Sequence, residues 1–157
     1  MAIAANLILS GNTYRVLHCD YEFRQNVDRY GRPSSVPEGG FINLTIESTR
    51  DVSIIQWMIF SELRNDGEIV FISRESESAM RRVQFGNAFC VYYKEVFDME
   101  TENPMTIQFR ISCREITIES VELSRSIMWG EASESEPSSS SSSSSGSGDI
   151  GSFNPND

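Results

Sequence analysis

The chain has 157 residues, 39% of them hydrophobic, and a formal net charge of −10 from 13 basic and 23 acidic side chains. That length fits one domain with a buried core. Five of the acids fall in the last 27 residues, which contain no Lys or Arg, so the body carries only −5; an acidic body without a basic stripe argues against a nucleic-acid partner.

Twelve of the 13 basic residues are Arg and only Lys94 is Lys. Arg grips carboxylates in a planar, bidentate geometry, which suits fixed ion pairs between subunits; lineage bias accounts for the same count equally well. Cys19, Cys90 and Cys113 are widely spaced and odd in number. Cys19 and Cys113 share an alternating phase with apolar neighbours and read as buried thiols of a reducing compartment, and the three do not read as a disulfide framework. The start MAIAANLILS lacks the basic region and long apolar core of a signal peptide, and no apolar run approaches the ~20 residues that cross a bilayer. The expectation is synthesis and folding in the cytoplasm, export (if any) without a cleaved leader, and no direct membrane insertion.

Asn6 to Ser10 reads as a short apolar strand, and Gly11-Asn12 as the turn of a hairpin. From Tyr14 to Arg24, Leu17, Cys19, Tyr21 and Phe23 alternate with His18, Asp20 and Glu22, giving a second strand with one polar face. A loop follows, with Arg29, Arg32, Pro33, Pro37 and a closing Gly39-Gly40 pair. It is too long for a tight hairpin, and loops of that length in a compact domain are functional or disordered. Gly40 to Glu47 then alternates strictly, with Ile42, Leu44 and Ile46 on one face.

After Thr49-Arg50-Asp51 the period changes. Val52, Ile55, Met58, Ile59 and Leu63 recur at three- and four-residue steps, which predicts an amphipathic helix capped by Ser48 or Thr49 with Asp51 in its first turn. Ile54, Trp57 and Phe60 widen its apolar face. Asn65-Asp66-Gly67 reads as a positive-φ turn ending the helix, and Glu68 to Arg74 as a strand. Glu75 to Ser78 reads as a connector, with a helical turn through Met80. Arg82 to Asp98 is strand-like, with Val83, Phe85, Phe89, Val91, Tyr93 and Phe97 on one parity and Gly86-Asn87 marking a bulge. Met99 to Asn103 is an acidic turn. Met105, Ile107, Phe109, Ile111 and Cys113 line one face of the next strand, and the phase flips before Ile116 and Ile118, which requires a bulge or bend at Arg114-Glu115. Beyond Trp129 the serine-rich, acidic composition cannot offset the entropy of ordering. The pattern gives a mainly β fold over residues 1–129, seven or so antiparallel strands with one inserted α-helix that close into a barrel or a small sandwich, and a disordered Ser-rich tail over 130–157.

The single histidine, His18, has no second His for a triad or a multi-His metal site and reads as a surface or interface residue. Gly39-Gly40 precedes a strand rather than a helix and is no phosphate loop; Asp66-Gly67 lacks the oxygen ligands of a calcium loop. Neither an enzyme nor a metal or cofactor site is expected. Candidate subunit contacts are Trp57, Phe60, Tyr92 and Tyr93; the last two are adjacent on a strand and so face opposite sides.

The segments LHCDYEF, GRPSSVPEGGFINLTIEST, the QWM of the helix, FDMETENPMT and SCREI together resemble the tube protein of type VI secretion systems (the Hcp or TssD family), nearest its Bacteroidota branch, from about Ala4 to Leu123. The serine-rich ending departs from the family pattern. The resemblance implies an antiparallel two-sheet β-barrel with one inserted α-helix flanking it, assembling as a homohexameric ring. It also implies stacking of rings into a tube driven out by a contracting sheath, with sheath, spike and baseplate proteins as partners and effector proteins in the lumen. It implies no catalytic activity. By position, the family's extended ring-stacking loop falls on Asp28, Arg29, Tyr30, Gly31, Arg32, Pro33, Ser34, Ser35, Val36, Pro37, Glu38, Gly39 and Gly40, with Arg29, Arg32 and Glu38 expected to form ion pairs across rings. Two alternatives stay open: a tube protein of a phage tail or extracellular contractile injection system, and a monomeric β-barrel binding a small apolar ligand.

Overall fold

A computed structural model describes residues 2–124; the expected tail, and the last residues of the expected 1–129 domain, lie outside these. Eight strands and one helix follow in the order β1 (Ile3–Leu9), β2 (Asn12–Tyr21), β3 (Phe41–Glu47), α1 (Ser53–Ile59), β4 (Asn65–Ser73), β5 (Ala79–Phe97), β6 (Met105–Ser112), β7 (Glu115–Ile118) and β8 (Val121–Ser124). They form one antiparallel sheet in the order β4-β1-β2-β3-β6-β5-β7-β8, and β4 also pairs with β5. That extra ladder closes six strands into a barrel. Closure removes the exposed strand edges that an open sheet would leave.

The period-two strands behave as their sequence dictates. Ile42, Leu44 and Ile46 of β3 are buried, as are Ile107, Phe109 and Ile111 of β6, and the two strands pair residue for residue from Phe41↔Ser112 to Glu47↔Thr106. The chain bends between β6 and β7, so Cys113 and Ile116 are both buried despite their opposite parity. β6 and β7 lie end to end on β5, Phe89 facing Ser112 and Gly86 facing Glu115. The first hairpin turns on Ser10 and Gly11, both at positive φ, one residue earlier than the Gly11-Asn12 expectation.

Five local expectations fail. The helix is one short element, Ser53–Ile59, and no Ser48 or Thr49 side chain caps it. Instead Asp51, just before the helix, accepts hydrogen bonds from the Ser53 amide (3.0 Å) and hydroxyl (2.6 Å) and from the side chains of Asn12 and Tyr14. The helical stripe is also displaced: Val52, Ile59 and Leu63 are exposed, while Ile54 and Trp57 are buried. Trp57 stacks on Phe85 at 6.4 Å, meets Phe109 at 6.5 Å, and donates its indole N–H to the Ala88 carbonyl (3.0 Å). A seven-residue helix has little stability of its own and turns whichever face the barrel's opening accepts.

Asn65-Asp66-Gly67 is not a positive-φ turn but the irregular start of β4, Gly67 pairing with Phe85 and Leu9. A Cβ at Gly67 would lie 2.5 Å from the Phe85 ring and 2.9 Å from the Ile8 carbonyl, so packing, not φ, requires glycine there. Ala79 and Met80 belong to β5 rather than to a helical turn. Within β5, Asn87 adopts positive φ opposite a register shift and resets the parity. Val83 and Phe85 are buried before it, Ala88 and Cys90 after it, and Phe89, Val91 and Phe97 are not in the core.

Candidate functional site

The Asp28–Gly40 segment extends a longer excursion, residues 22–40, that leaves β2 and returns to β3 as an arm. It is laddered by its own backbone. Arg24 and Glu38 exchange two hydrogen bonds (2.9 and 2.7 Å), the Ser34 amide donates to the Asn26 carbonyl (2.8 Å), and the Asp28 amide donates to the Arg32 carbonyl (2.8 Å). The tip is built on Asp28, whose carboxylate accepts from the Tyr30 amide (2.8 Å), the Arg32 amide (3.0 Å) and the Arg32 guanidinium (3.0 Å). These bonds, the Arg32 amide's first, hold the Asp28 carboxyl below the usual carboxylate range. Gly31 takes φ +79°, a conformation that costs an L side chain dearly, and so closes the turn. At the base, Gly39 lies against the Phe23 ring and Gly40 turns into β3 at φ +91°.

The arm's surface is mixed. Tyr30 lies under two guanidinium groups, Arg29 at 4.6 Å and Arg32 at 5.2 Å from its ring centroid. Val27, Tyr30 and Val36 are exposed, Val36 by 77%. Arg32 pairs with Asp28 and Glu38 with Arg24, whereas Arg29 has no carboxylate partner among the described residues.

The other candidates do not form one surface. Trp57 belongs to the core and is withdrawn as a subunit contact, since its side chain is only 1% exposed. Phe60, just past the helix, is exposed, as is its neighbour Ile59 at the helix's end. Tyr92 is exposed on β5 and lines a shallow cleft with Phe41, Asn43, Val91 and Arg110. Tyr93 faces the other side, half-buried against the core, and burial followed by the nearby Glu95 raises its hydroxyl pKa. The barrel's outer face also carries a polar row. Asp20, on β2, accepts from His18 (2.7 Å) and from the Asn43 side-chain Nδ2 (2.8 Å), while Arg110 lies over Phe41 at 4.3 Å. His18 therefore meets a carboxylate that is already bonded, with its pKa lowered first by Asn43 and then by His18.

Sequence reasoning passed over the β5–β6 turn as a functional element. It exposes Phe97, Met99 and Met105, Met99 by 82%. The signal was present in FDMETENPM, three large apolar residues interleaved with three acids.

The family model for hemolysin coregulated protein Hcp (TssD) matches residues 1–129. The chain belongs to the Hcp family. It is a tube protein of a type VI secretion system, a component of an oligomeric tube in a sheath-type apparatus, and Hcp proteins are secreted by that system. Hcp1 from Flavobacterium johnsoniae is 38% identical to this chain, with a TM-score of 0.74 over 78% of this chain and 99% of its own. Hcp1 from Salmonella typhimurium (10% identity, TM-score 0.63, 78% and 92% of the two chains) and Hcp1 from E. coli EAEC 042 (12%, 0.60, 80% and 98%) share the fold. None of the curated proteins matches the chain.

Proposed function

We propose that this chain forms homohexameric rings that stack into a tube through the Asp28–Gly40 arm, and that sheath contraction drives the tube out with effector proteins in its lumen. The observation that carries the reading is the arm itself: braced by its own bonds, yet presenting Val27, Tyr30 and Val36 to solvent. A pre-formed arm loses little conformational entropy on docking. Arg29, over the Tyr30 ring, has no carboxylate partner among the described residues, while Arg32 and Glu38 would join inter-ring ion pairs from positions already held by Asp28 and Arg24. Assembly takes place in the cytoplasm, with the spike and baseplate proteins as further partners, and requires neither cofactor nor catalysis.

A filled barrel supports this reading over a small-ligand carrier, because Trp57, Phe85, Phe109 and Ile111 occupy the interior. The 38% identity to an Hcp1 favours a type VI tube over a phage tube. Deleting residues 32–36 is expected to leave rings of unchanged mass by light scattering and to abolish tubes in electron micrographs. Tubes of undiminished length in the deletion variant would overturn the role of the arm, and a monomeric parent protein would overturn the ring.

A further inference from the structure

The outer face of β3, β6 and β5 holds a cleft that a bulge creates. β5 pairs with β6 from Phe89↔Ser112 onward, and the register shifts between Cys90 and Tyr92. Successive residues of a regular strand point to opposite sides, but across this bulge Val91 and Tyr92 both stand in solvent, 46% and 48% exposed, and line one cleft. Tyr92 faces Arg110 across one ladder and Arg110 faces Asn43 across the next, while Phe41, two residues along β3, lies beneath the Arg110 guanidinium. These five residues line a volume of about 450 Å³ that holds one cation and no carboxylate. Asp20, across Asn43 on β2, is already bonded by Asn43 and His18. Exposed aromatic and aliphatic side chains around a single guanidinium suit a peptide that carries large apolar residues next to a carboxylate.

We infer that the occupant of this cleft is residues 149–157 of the same chain, DIGSFNPND, with Ile150 and Phe153 covering Phe41, Val91 and Tyr92 and the flanking Asp149 and Asp157 drawn to Arg110. Three observations select this segment. After Trp129, Ile150 and Phe153 are the only large apolar residues, and they follow an unbroken Ser/Gly stretch, 138–148, that reads as a tether. The charges complement each other, because residues 130–157 hold five carboxylates and no Lys or Arg. The length also suffices. Ser124 pairs with Glu115, which pairs with Gly86, and Tyr92 lies six residue steps of ~3.3 Å further along β5, about 20 Å. A Ser/Gly-rich chain of 24 residues, the number between Ser124 and Asp149, spans about 25–30 Å. Other clefts suit an acidic segment less: the one beside the β5–β6 turn carries Asp98, and the one beside β7 carries Glu115 and Glu122.

Disulfide formation tests the contact in the full chain. Asn43→Cys/Ser152→Cys, oxidised with copper phenanthroline, is expected to close a bond within one chain, seen as a monomer on a non-reducing gel whose digest joins the peptides of positions 43 and 152. Asn43→Cys/Ser140→Cys is the control. Position 140 has the shorter connection to Ser124, so tethering alone would close its bond at least as fast; docking makes the 43–152 bond form at least tenfold faster. Equal rates, or a bond only between two chains, would overturn the inference. Ile150→Ser/Phe153→Ser alters no barrel residue and is expected to slow the 43–152 bond at least fivefold, and an unchanged rate would overturn the docking. Arg110→Gln is expected to slow it similarly, and an unchanged rate there would refute the charge pairing. The assay reads single chains, so its failure is distinct from a failure of the arm or of tube formation.

Discussion

The placement of Trp57 makes the most decisive prediction. Trp57→Ala removes a 1% exposed residue that stacks on Phe85 and reaches Phe109, and it takes away the indole donor to the Ala88 carbonyl. Truncating a buried Trp to Ala costs about 3–5 kcal/mol, and the lost indole hydrogen bond adds about 1 kcal/mol. A loss of about 4–6 kcal/mol is a large share of the ~5–15 kcal/mol that holds a typical domain folded. The helix, too short to persist alone, should undock. Trp57→Phe keeps a ring against Phe85 but not the donor, and should cost about 1–3 kcal/mol. Urea unfolding followed by circular dichroism, at concentrations where the protein is monomeric, checks both. A loss under about 1.5 kcal/mol for Trp57→Ala, coupled with weakened self-association, would refute its role in the core.

Gly39→Ala places a Cβ 2.2 Å from Cδ1 and 2.8 Å from Cε1 of Phe23 and 3.0 Å from the Glu22 carbonyl, so the half-exposed ring must swing out and the base of the arm loosens. The expected cost is about 1–3 kcal/mol, with faster amide exchange at Arg24 and Glu38; unchanged protection there would contradict the packing. Asp51 should govern acid stability. Its folded pKa is lowered, first by the Ser53 hydroxyl and then by Tyr14, so its contribution is present above the unfolded value of ~4 and is lost as pH falls through the folded one. Asp51→Asn should flatten the acid limb of a stability profile, and an unchanged limb would show that other carboxylates control it. At the alkaline end, burial first and Asp51 second push Tyr14 up to about 12 from 10.0. The unfolded chain then sheds this proton first, and stability should decline from about pH 10 towards 12, a limb that Tyr14→Phe should weaken. Burial likewise raises Cys19 to about 12, with Asp20 adding to it, and Cys90 to about 11. Their alkylation near pH 8 should run about 100-fold or more slower in the native protein than in urea, and native rates within about tenfold of the unfolded ones would refute the burial.

Much of the barrel was legible because an alternating strand is a local signal. Ile42, Leu44 and Ile46, and likewise Ile107, Phe109 and Ile111, share a face by geometry alone, and any fold that buries one of each set buries the others. The flip between Cys113 and Ile116 was readable for the same reason, since only a bend can bury both parities. Pro33, Pro37 and Gly39-Gly40 marked a long loop that the sequence left open between functional and disordered, and its segment carried the family resemblance.

What the tertiary structure decided depends on partners distant in sequence. The helix could have buried Val52, Ile55 and Ile59, but the barrel's opening admits Trp57 because Phe85, Phe109 and the Ala88 carbonyl receive it there. Asn65-Asp66-Gly67 looks like a turn in isolation, yet two neighbouring strands offer it a ladder and the Phe85 ring fills the space a side chain would take. The parity of β5 is reset twice, at Asn87, which takes positive φ opposite the irregular start of β4, and at the register shift against β6 between Cys90 and Tyr92. Sequence periodicity alone specified which strands have a buried face. Closure of the sheet through β4 and β5 chose which side of the helix, and which end of the barrel, each remaining apolar residue would meet.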